Sequence, residues 1–561
     1  MIKQRSFFLI VGVIVLLLTG IGGFWLVRES SLSLRGGSQS TPAAAMFVPK
    51  QAPVMVSMLV NPNRIESLGQ VVSGSERRKL RTQLQQLKTS LFANTGLDYQ
   101  RDVQPWIGDE LTLAVTNTDI DRDAANGQQT GYLMAIATKN AAKSREFLDL
   151  LFSKRAVAGK DLTFEQYEGI KLISDQPRSI SNQAAATQNL AGAVVGDSFV
   201  LFANHPKVIR DAINNVQATD LNLATSSQYQ QALTLLPSRS IGLFFLNLPS
   251  VVAWQGLKPA AQTYESQIIA LELNRKGLLA QTALLAAPNQ NSSSAPTLSQ
   301  PVEALKYIPD AISLAVSGSD LSHLENTDLN QLWQQTTASG AGEGLSRLIN
   351  QPLAELQARW GIDLAKDIFS WVQGEYALGI LPREGQTPDL IFVAQKSAAA
   401  DQGISHLDEI AQQQGLSATP LPLENQKVSA WTQLTTVPSS SNTDTGITLR
   451  AKVQGVHTTV GNYEIFTTSV EAMDAALKAP KNGALIDSPK FKASIAPIPT
   501  PNAGYVYLDW AASHSMLERQ LPILKLLEVA GKPFFNNLRS LTVSSYDQKA
   551  LKASAFFQLS N

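Results

Sequence analysis

The pattern of hydrophobic and polar positions predicts a long apolar run followed by short, alternating strands and helices. Leucines spaced near 3.6 residues predict a helix near Glu76–Phe92. The turn residues Gly196-Asp197 stand between two short strands and predict a hairpin. Because neighbouring strands are joined by short turns, we expect antiparallel pairing with helices packed on one face. Further strands are predicted near 54–60, 111–116, 132–138, 162–167, 170–174, 191–195, 199–203, 241–247, 268–273 and 278–285, and further helices near 141–152, 206–216 and 227–235.

Two segments of the chain resemble each other. Gly96–Val115 and Gly361–Ile380 align without a gap at an offset of 265, and six of their 20 positions are identical. The same offset relates Val195-Gly196-Asp197 to Val460-Gly461-Asn462. Such collinear matches predict a tandem duplication. The predicted fold class is therefore α+β, with two similar units, each a mainly antiparallel sheet packed with helices, preceded by one transmembrane helix.

The apolar run from Phe7 to Val27 carries no charge. At about 1.5 Å per residue it is long enough to cross the hydrocarbon core of a bilayer. A cleaved signal peptide, with Ala43-Ala44-Ala45 as its processing site, is the alternative, but the apolar run is long and this site is distant. Both readings place the remaining chain outside the cytoplasm. The predicted organisation is a cytoplasmic N-terminus at 1–6, an anchor at 7–27, a flexible stalk at 28–42, repeat unit 1 at 43–285, a linker at 286–301 and repeat unit 2 at 302–561.

Composition excludes several classes of function. Among 561 residues, Lys and Arg number 46 and Asp and Glu also number 46, so the chain lacks the basic excess typical of nucleic-acid-binding proteins. There is no cysteine, which excludes disulfides, thiolate metal sites and cysteine nucleophiles. No GxSxG, HExxH or phosphate-binding glycine motif occurs. We therefore predict no nucleic-acid partner and no cofactor.

One acidic segment has the spacing of a calcium loop. Asp119, Asp121 and Asp123 place carboxylates at alternating positions, as oxygen coordination of Ca²⁺ requires. The expected glycine and closing glutamate are replaced by Ala124 and Thr130. A solvated loop between two strands is the interpretation we favour.

Other polar segments have equally ordinary explanations. The glycines between Gly340 and Gly344 follow a polar helix rather than a strand, which favours a helix–helix linker over a phosphate site. The basic helix Glu76–Lys88 could attract phosphate headgroups or an acidic partner, but a solvated helix face explains it. The histidines show no i,i+3 or i,i+4 pairing with one another, which predicts no helical metal pair: His205, His323, His406, His457 and His514.

The residues shared by the two similar segments are the sharpest feature of the sequence. Asp98, Asp102, Trp106 and Glu110 recur in the second segment at an offset of 265. Paired carboxylates could serve acid–base catalysis. Two copies in one chain favour an architectural role instead, in which Asp98 caps a turn and Trp106 packs into the sheet. We accordingly assign no catalytic, cofactor-binding or metal-binding residue.

These features are similar to those of a known family. The phrase Ala44-Ala45-Met46-Phe47-Val48-Pro49 and the two Gly-hydrophobic-Asp…Asp…Trp segments resemble the cyanobacterial family called domain of unknown function 3352. The resemblance implies an N-terminally anchored protein without an established activity, in the periplasm or the thylakoid lumen. It supplies no functional residues.

The leading hypothesis is a membrane-anchored, extracytoplasmic, non-enzymatic interaction or assembly protein with an unidentified protein partner. The bilayer would be contacted through residues 7–27. A module that binds a lipid or another apolar small molecule is the first alternative. A hydrolase whose active site is assembled from distant residues is the second. Whether the protein is an enzyme, which process it serves and its oligomeric state stay open.

Overall fold

Strands form most of the regular structure because short apolar stretches alternate with polar residues and end at turn residues. The chain divides into two compact units, Met1–Gln290 and Asn291–Asn561. The computed structural model describes residues 41–60, 97–123, 127–177, 189–236, 240–255, 264–274, 276–286, 298–321, 354, 357–358, 360–383, 387–424, 426–438, 447–520, 524, 528, 532–547 and 551–560.

The first unit contains ten strands in the described part of the chain, all paired with antiparallel neighbours. Their spatial order is β4-β5-β6-β7-β3-β2-β1-β8-β9-β10. The elements are β1 (Val54–Met58), β2 (Ile107–Asn117), β3 (Gly131–Thr138), α1 (Ala141–Val157), β4 (Lys160–Tyr167), β5 (Ile170–Pro177), β6 (Ala191–Val195), β7 (Phe199–Ala203), α2 (Pro206–Gln217), α3 (Ser227–Thr234), β8 (Gly242–Asn247), α4 (Leu248–Gln255), β9 (Tyr264–Asn274) and β10 (Gly277–Ala286). Single turns of 3-10 helix lie at Ala43–Phe47, Thr219–Leu221 and Leu223–Thr225, and a π-turn lies at Tyr99–Val103.

The second unit repeats this order with its own strands. Neighbours run β14-β15-β16-β17-β13-β12-β11-β18-β19-β20. The elements are β11 (Leu314–Ser319), β12 (Glu375–Leu381), β13 (Asp389–Gln395), α5 (Ala400–Gln413), β14 (Ser417–Leu423), β15 (Gln426–Pro438), β16 (Ile447–Val460), β17 (Tyr463–Thr467), α6 (Val470–Asn482), α7 (Pro489–Ile495), β18 (Tyr505–Asp509), α8 (Trp510–Gln520), α9 (Lys532–Asn537), β19 (Leu538–Asp547) and β20 (Leu551–Leu559). Short 3-10 helices lie at Glu303–Tyr307, Phe369–Trp371 and Leu485–Asp487, and a π-turn lies at Leu364–Ile368.

The predicted fold class is wrong in its arrangement of sheets. Rather than one sheet in each of two units, the twenty strands belong to a single antiparallel sheet accompanied by helices. Hydrophobic alternation identifies strands and turn length identifies hairpins. The extent of a sheet depends on which strand edges pair, and edges pair through backbone groups that every residue carries. The extent of the sheet therefore cannot be predicted from the pattern of hydrophobic residues.

The predicted transmembrane helix is also not found. None of the helices in the described ranges combines the length and hydropathy that a membrane crossing requires. The run 7–27 itself lies outside the described residues, as do the predicted helix at 76–92 and most of the linker.

Individual elements follow the sequence closely. The strands predicted at 191–195 and 199–203 are β6 and β7. Three residues, Gly196 to Ser198, separate them rather than the two expected, whereas Gly461-Asn462 forms a two-residue turn between β16 and β17. Gly461 has φ 58°, a conformation in which an L side chain is strained.

Helix α1 lies close against the strands of the first unit because β6 carries a glycine at the contact. A Cβ on Gly192 would stand 2.7 Å from Leu148 Cδ1 and 2.9 Å from the ring of Phe152. Phe147, Leu148 and Phe152 are buried there in one apolar cluster. This contact fixes the position of α1 beside the turns that follow β4 and β6.

Candidate functional site

The shared segment makes structural contacts in the first unit. Asp98 Oδ1 accepts the N–H of Arg101, and Asp102 Oδ2 accepts the N–H of Asp98, both at 2.8 Å. Trp106 Nε1 donates to the backbone oxygen of Asp102 at 2.9 Å, and Trp106 is buried. The hydrogen bond from Arg101 is the main reason why the pKa of Asp102 lies below its usual value. The predicted cap at Asp98 and the predicted packing of Trp106 are confirmed.

The second unit repeats these contacts with its own residues. Asp363 Oδ1 accepts the N–H of Lys366 at 3.3 Å, and Asp367 Oδ2 accepts the N–H of Asp363 at 2.7 Å. Trp371 Nε1 donates to the oxygen of Asp367 at 2.8 Å. Because each carboxylate closes a backbone turn, these aspartates hold the start of a strand rather than face a ligand.

The shared glutamates fasten the segment that opens each unit. Glu110, on β2, accepts the N–H of Ala43 at 2.9 Å and of Ala44 at 2.8 Å. Glu375, on β12, accepts the N–H of Glu303 at 2.8 Å. Each carboxylate therefore satisfies backbone donors at the start of a 3-10 helix. Burial is the main reason why the pKa of Glu110 is raised.

The acidic segment after β2 forms a loop, as expected. Asp119 Oδ1 accepts the N–H of Gln129 at 3.1 Å, and Asp121 Oδ1 accepts the N–H of Asp123 at 3.0 Å. These carboxylates hold the backbone between β2 and β3. Residues 340–344 and 76–88, the other two polar candidates, lie outside the described residues.

Each described histidine has its own partner. His205 Nδ1 accepts the N–H of Lys207 at 3.1 Å and so caps α2. His406 Nε2 lies 3.6 Å from Asp367 Oδ1. His457 and His514 contact carboxylates on helices, while His323 lies outside the described residues.

An aspartate–histidine pair occurs beneath α5. Asp408 Oδ1 accepts the Nε1–H of Trp431 at 2.7 Å and lies 3.1 Å from His457 Nε2. Burial raises the pKa of Asp408, but the hydrogen bonds from His457 and Trp431 outweigh it and the net shift is downward. His457 stacks on Phe466, with ring centroids 5.6 Å apart. Among the described residues His457 has no bond to a hydroxyl, so the pair fastens α5 to the sheet and lacks a nucleophile.

Only one group of described side chains has the composition and spacing of a metal site. His514 and Glu518 lie on α8, and Glu528 lies beyond it along the chain. One ligand atom from each residue falls within 4.8 Å of the others. The i,i+4 spacing of His514 and Glu518 is visible in the sequence, but a pattern that considers histidine pairs alone does not include it. No sequence signal points to Glu528.

The outer edge of β4 is the main candidate for binding a partner. In the described part of the chain β4 pairs with β5 alone. Tyr167 and Ile170 flank the two-residue turn Glu168-Gly169, whose φ angles are 46° and 77°. Such a turn makes the flanking residues a hydrogen-bonded pair, and bonded pairs alternate along an antiparallel ladder. The N–H groups at positions 162, 164 and 166 therefore point away from β5.

The corresponding strand of the second unit is blocked at two of these positions. β14 pairs with β15 alone among the described strands, and Leu423 and Gln426 are its last pair. Counted back from that turn, Pro420 and Pro422 occupy the positions that Phe164 and Gln166 occupy in β4. Proline has no N–H, and it protects a strand edge against pairing. The two edges thus differ in their capacity to accept another strand.

Apolar side chains lie exposed beside the open edge. Phe164 is 62% exposed, and Val157 at the end of α1 is 91% exposed. Lys171 Nζ stands 5.7 Å from the centre of the Phe164 ring and 2.9 Å from Asp149 Oδ1. Aromatic side chains are enriched where proteins contact one another, so the Phe164 ring is a candidate anchor for a partner.

A cavity of about 490 Å³ lies next to this edge, where the turns after β4 and β6 meet α1. Leu148, Ile170 and Val194 contribute its apolar wall. Arg145 and Asp197 form an ion pair at its rim, 2.7 Å apart. We call β4, Phe164, Val157 and this cavity the β4 surface.

Known proteins resemble the chain as follows. Residues 9–559 match the family described as "Protein of unknown function (DUF3352)". No curated protein matches the chain. Crystal form I of TP0453 has a TM-score of 0.25 and 8% identity, and the match covers 45% of this chain and 81% of that chain. For crystal form IV the values are 0.24, 9%, 45% and 83%. Scores this low carry no argument about fold or function.

Proposed function

Because the chain belongs to the DUF3352 family, whose function is unknown, we propose a function from its geometry: an interaction protein that binds an extended segment of a partner protein along β4. The observation that carries this proposal is the contrast between the two edge strands. β14 has prolines at two of its outward-facing positions, Pro420 and Pro422, whereas β4 has Phe164 and Gln166 at the equivalent positions.

Strand addition would satisfy the outward backbone groups of β4. An added antiparallel strand supplies a carbonyl for each outward N–H. These main-chain hydrogen bonds give affinity that does not depend on the side chains of the partner. Arg210 holds Glu165 by two hydrogen bonds of 3.1 and 3.0 Å, and Tyr167 Oη donates to Asn214 Oδ1 at 2.9 Å. Both partners lie on α2, so the strand is fixed before a ligand arrives.

The surroundings of β4 indicate which segment would bind. Phe164 and Val157 favour a segment with large apolar side chains, because contact would remove both from water. The cavity lies within the usual size range of ligand sites and would receive one further side chain. Its rim carries Arg145, Asp149, Lys171 and Asp197, which disfavours a hydrocarbon chain. We therefore place a protein segment, rather than a lipid, on this surface.

The proposal includes a location at a membrane. Residues 7–27 of the sequence are apolar and uncharged, and we propose that they hold the protein to a bilayer with the β4 surface outside the cytoplasm. Alkaline extraction of native membranes checks attachment, and protease added to sealed membrane vesicles whose cytoplasmic face points outward checks the side. Release by alkali, or cleavage of the protein in these vesicles before they are broken, would contradict this part.

A double variant tests the β4 proposal. Random peptides long enough to cover β4 are selected on the full-length protein in detergent micelles, and the affinity of each selected peptide is measured by fluorescence anisotropy. Phe164→Pro combined with Gln166→Pro copies the edge of β14 and is expected to weaken binding at least about tenfold, since two backbone hydrogen bonds are lost. Phe164→Ala combined with Gln166→Ala is the matched control, because it removes the side chains and keeps both N–H groups.

Amide hydrogen exchange gives the second readout. Bound peptide should protect the amides at positions 162, 164 and 166, while circular dichroism shows that the proline variant keeps its fold. The proposal fails if no peptide is selected, if the proline variant binds as tightly as the parent, or if protection falls elsewhere.

A further inference from the structure

We propose that His514, Glu518 and Glu528 bind a divalent transition-metal ion of the zinc type. The inference is independent of the β4 surface, since these residues belong to the second unit. It rests on the chemistry of the three side chains, on their distances and on the way α8 presents them.

The start of α8 fixes the first two ligands. Asp509 Oδ1 accepts the N–H of Ala512 at 3.1 Å, and its backbone oxygen accepts the hydroxyl of Ser513. The helix that follows places His514 and Glu518 one turn apart on the same face. Trp510 packs edge-on against the His514 ring, with centroids 5.7 Å apart at 76°, and limits its rotation.

Glu528 completes the group from outside α8. Its Oε1 lies 2.9 Å from His514 Nε2, which is within hydrogen-bond range. The side chain of Glu528 is only 19% exposed, and that of His514 is 40% exposed. Among the described residues Glu518 has no hydrogen-bond or ion-pair partner, and His514 is the one such partner of Glu528. The two carboxylates therefore lie near each other, and no described Lys or Arg side chain is paired with either of them.

The ligand types select the ion. One imidazole nitrogen and two carboxylate oxygens suit Zn²⁺, and the nitrogen disfavours Mg²⁺ and Ca²⁺, which prefer oxygen. Ligand atoms within 4.8 Å of one another can surround one ion with small side-chain rotations. Binding replaces the hydrogen bond between His514 and Glu528 by two bonds to the metal, and the two carboxylates balance its charge. Three protein ligands leave a coordination position for water.

Metal titration of the full-length protein in detergent tests the inference. Zn²⁺ binding is measured by calorimetry, and Co²⁺ is used as a visible probe because its absorbance reports the coordination of the ion. We expect one Zn²⁺ per chain. His514→Ala, Glu518→Gln and Glu528→Gln should each weaken binding at least about tenfold, as loss of a supporting group alone costs about 10–100-fold.

His406→Ala is the matched control, because His406 also stands beside a carboxylate, Asp367 at 3.6 Å, but has no third ligand in the described part of the chain. It should bind Zn²⁺ like the parent. Unfolding curves without metal show whether each variant still folds. Glu518→Gln breaks no described hydrogen bond or ion pair, so it tests the site even if the other two variants do not fold. The absence of Zn²⁺ binding, binding unchanged in Glu518→Gln, or loss in His406→Ala alone would overturn the inference.

Discussion

Removal of the Glu110 carboxylate is the sharpest test of the contact between β2 and the segment that opens the first unit. The carboxylate accepts two backbone N–H groups, from Ala43 and Ala44, and the hydroxyl of Thr112 at 3.0 Å. Thr112 in turn bonds Ser57 on β1 at 2.7 Å. Glu110→Ala would break this network at its centre, while Glu110→Gln would keep one acceptor oxygen.

The magnitude follows from burial. Ala44 is fully buried, and a buried N–H left without an acceptor costs about 1–3 kcal/mol. Ala43 is partly exposed, so water compensates part of its loss. Burial disfavours the charged form of Glu110, as its raised pKa indicates, so loss of this charge in Glu110→Ala offsets part of the destabilisation. We expect the amide losses to dominate, with destabilisation of about 2–4 kcal/mol for Glu110→Ala and roughly half of that for Glu110→Gln.

The assay combines urea unfolding of the full-length protein in detergent with amide exchange. Exchange of the peptide that contains Ala43 and Ala44 should accelerate in both variants, and the free energy of unfolding should fall in the order parent, Gln, Ala. Unchanged exchange in Glu110→Ala, or a loss below about 0.5 kcal/mol, would refute the reasoning, because a surface substitution has effects of that size.

The raised pKa of Glu110 also predicts how its contribution to the free energy of unfolding depends on pH. Because the folded state disfavours the ionised carboxyl, the contribution of Glu110 to stability is largest below the ordinary glutamate pKa of about 4.3. It falls as the pH rises through the folded-state pKa. The difference in free energy of unfolding between the parent and Glu110→Gln should therefore be larger in mild acid than at neutral pH. A difference that grows with rising pH would contradict this sign.

Two further predictions concern tryptophan and glycine. Trp371→Phe removes the donor to Asp367 while keeping an aromatic ring, and should lower the free energy of unfolding by about 1–2 kcal/mol in urea titration, whereas no loss would show that this hydrogen bond is dispensable. Gly504→Ala should cost about 3 kcal/mol or more, because a Cβ would lie 2.1 Å from the oxygen of Ser317 and φ is 109°. Its control is Gly461→Ala, with φ 58° and open space around it, which should cost about 1–2 kcal/mol; equal losses in the two glycine variants would contradict the steric argument.

Local elements were predictable because local residues determine them. The boundary between β6 and β7 follows from two apolar runs separated by Gly196-Asp197-Ser198, and the start of α1 follows from Asn140, whose side chain accepts the N–H of Lys143 at 3.1 Å. The cap at Asp98 was predictable for the same reason. The contacts of Glu110 were not, since its partners Ala43 and Ala44 lie 67 and 66 residues away in sequence.

The candidate sites depend on information that a single sequence does not display. The outward direction of the Phe164 N–H follows only once Tyr167 and Ile170 are known to close the turn, because a shift of one residue would turn that N–H toward β5. Glu528 is joined to His514 by the fold and by no periodic spacing. The single sheet likewise depends on pairing of strand edges, for which side-chain patterns give no signal.

The residues that the two similar segments share hold the fold, whereas the residues proposed to function are not shared between the units. Positions that they share, such as Trp106 and Trp371, make the same backbone contacts in both units and hold the fold. The proposed sites lie outside these segments, at places where the two units differ. The offset of 262 that relates Gly242 to Gly504 places Val252 and Gly256 opposite His514 and Glu518, so the first unit lacks these metal ligands. Conversely, the prolines of β14 close in the second unit the edge that β4 leaves open in the first. Each unit can thus carry a property that the other lacks, because the shared residues keep the fold while the edge and the helix face change.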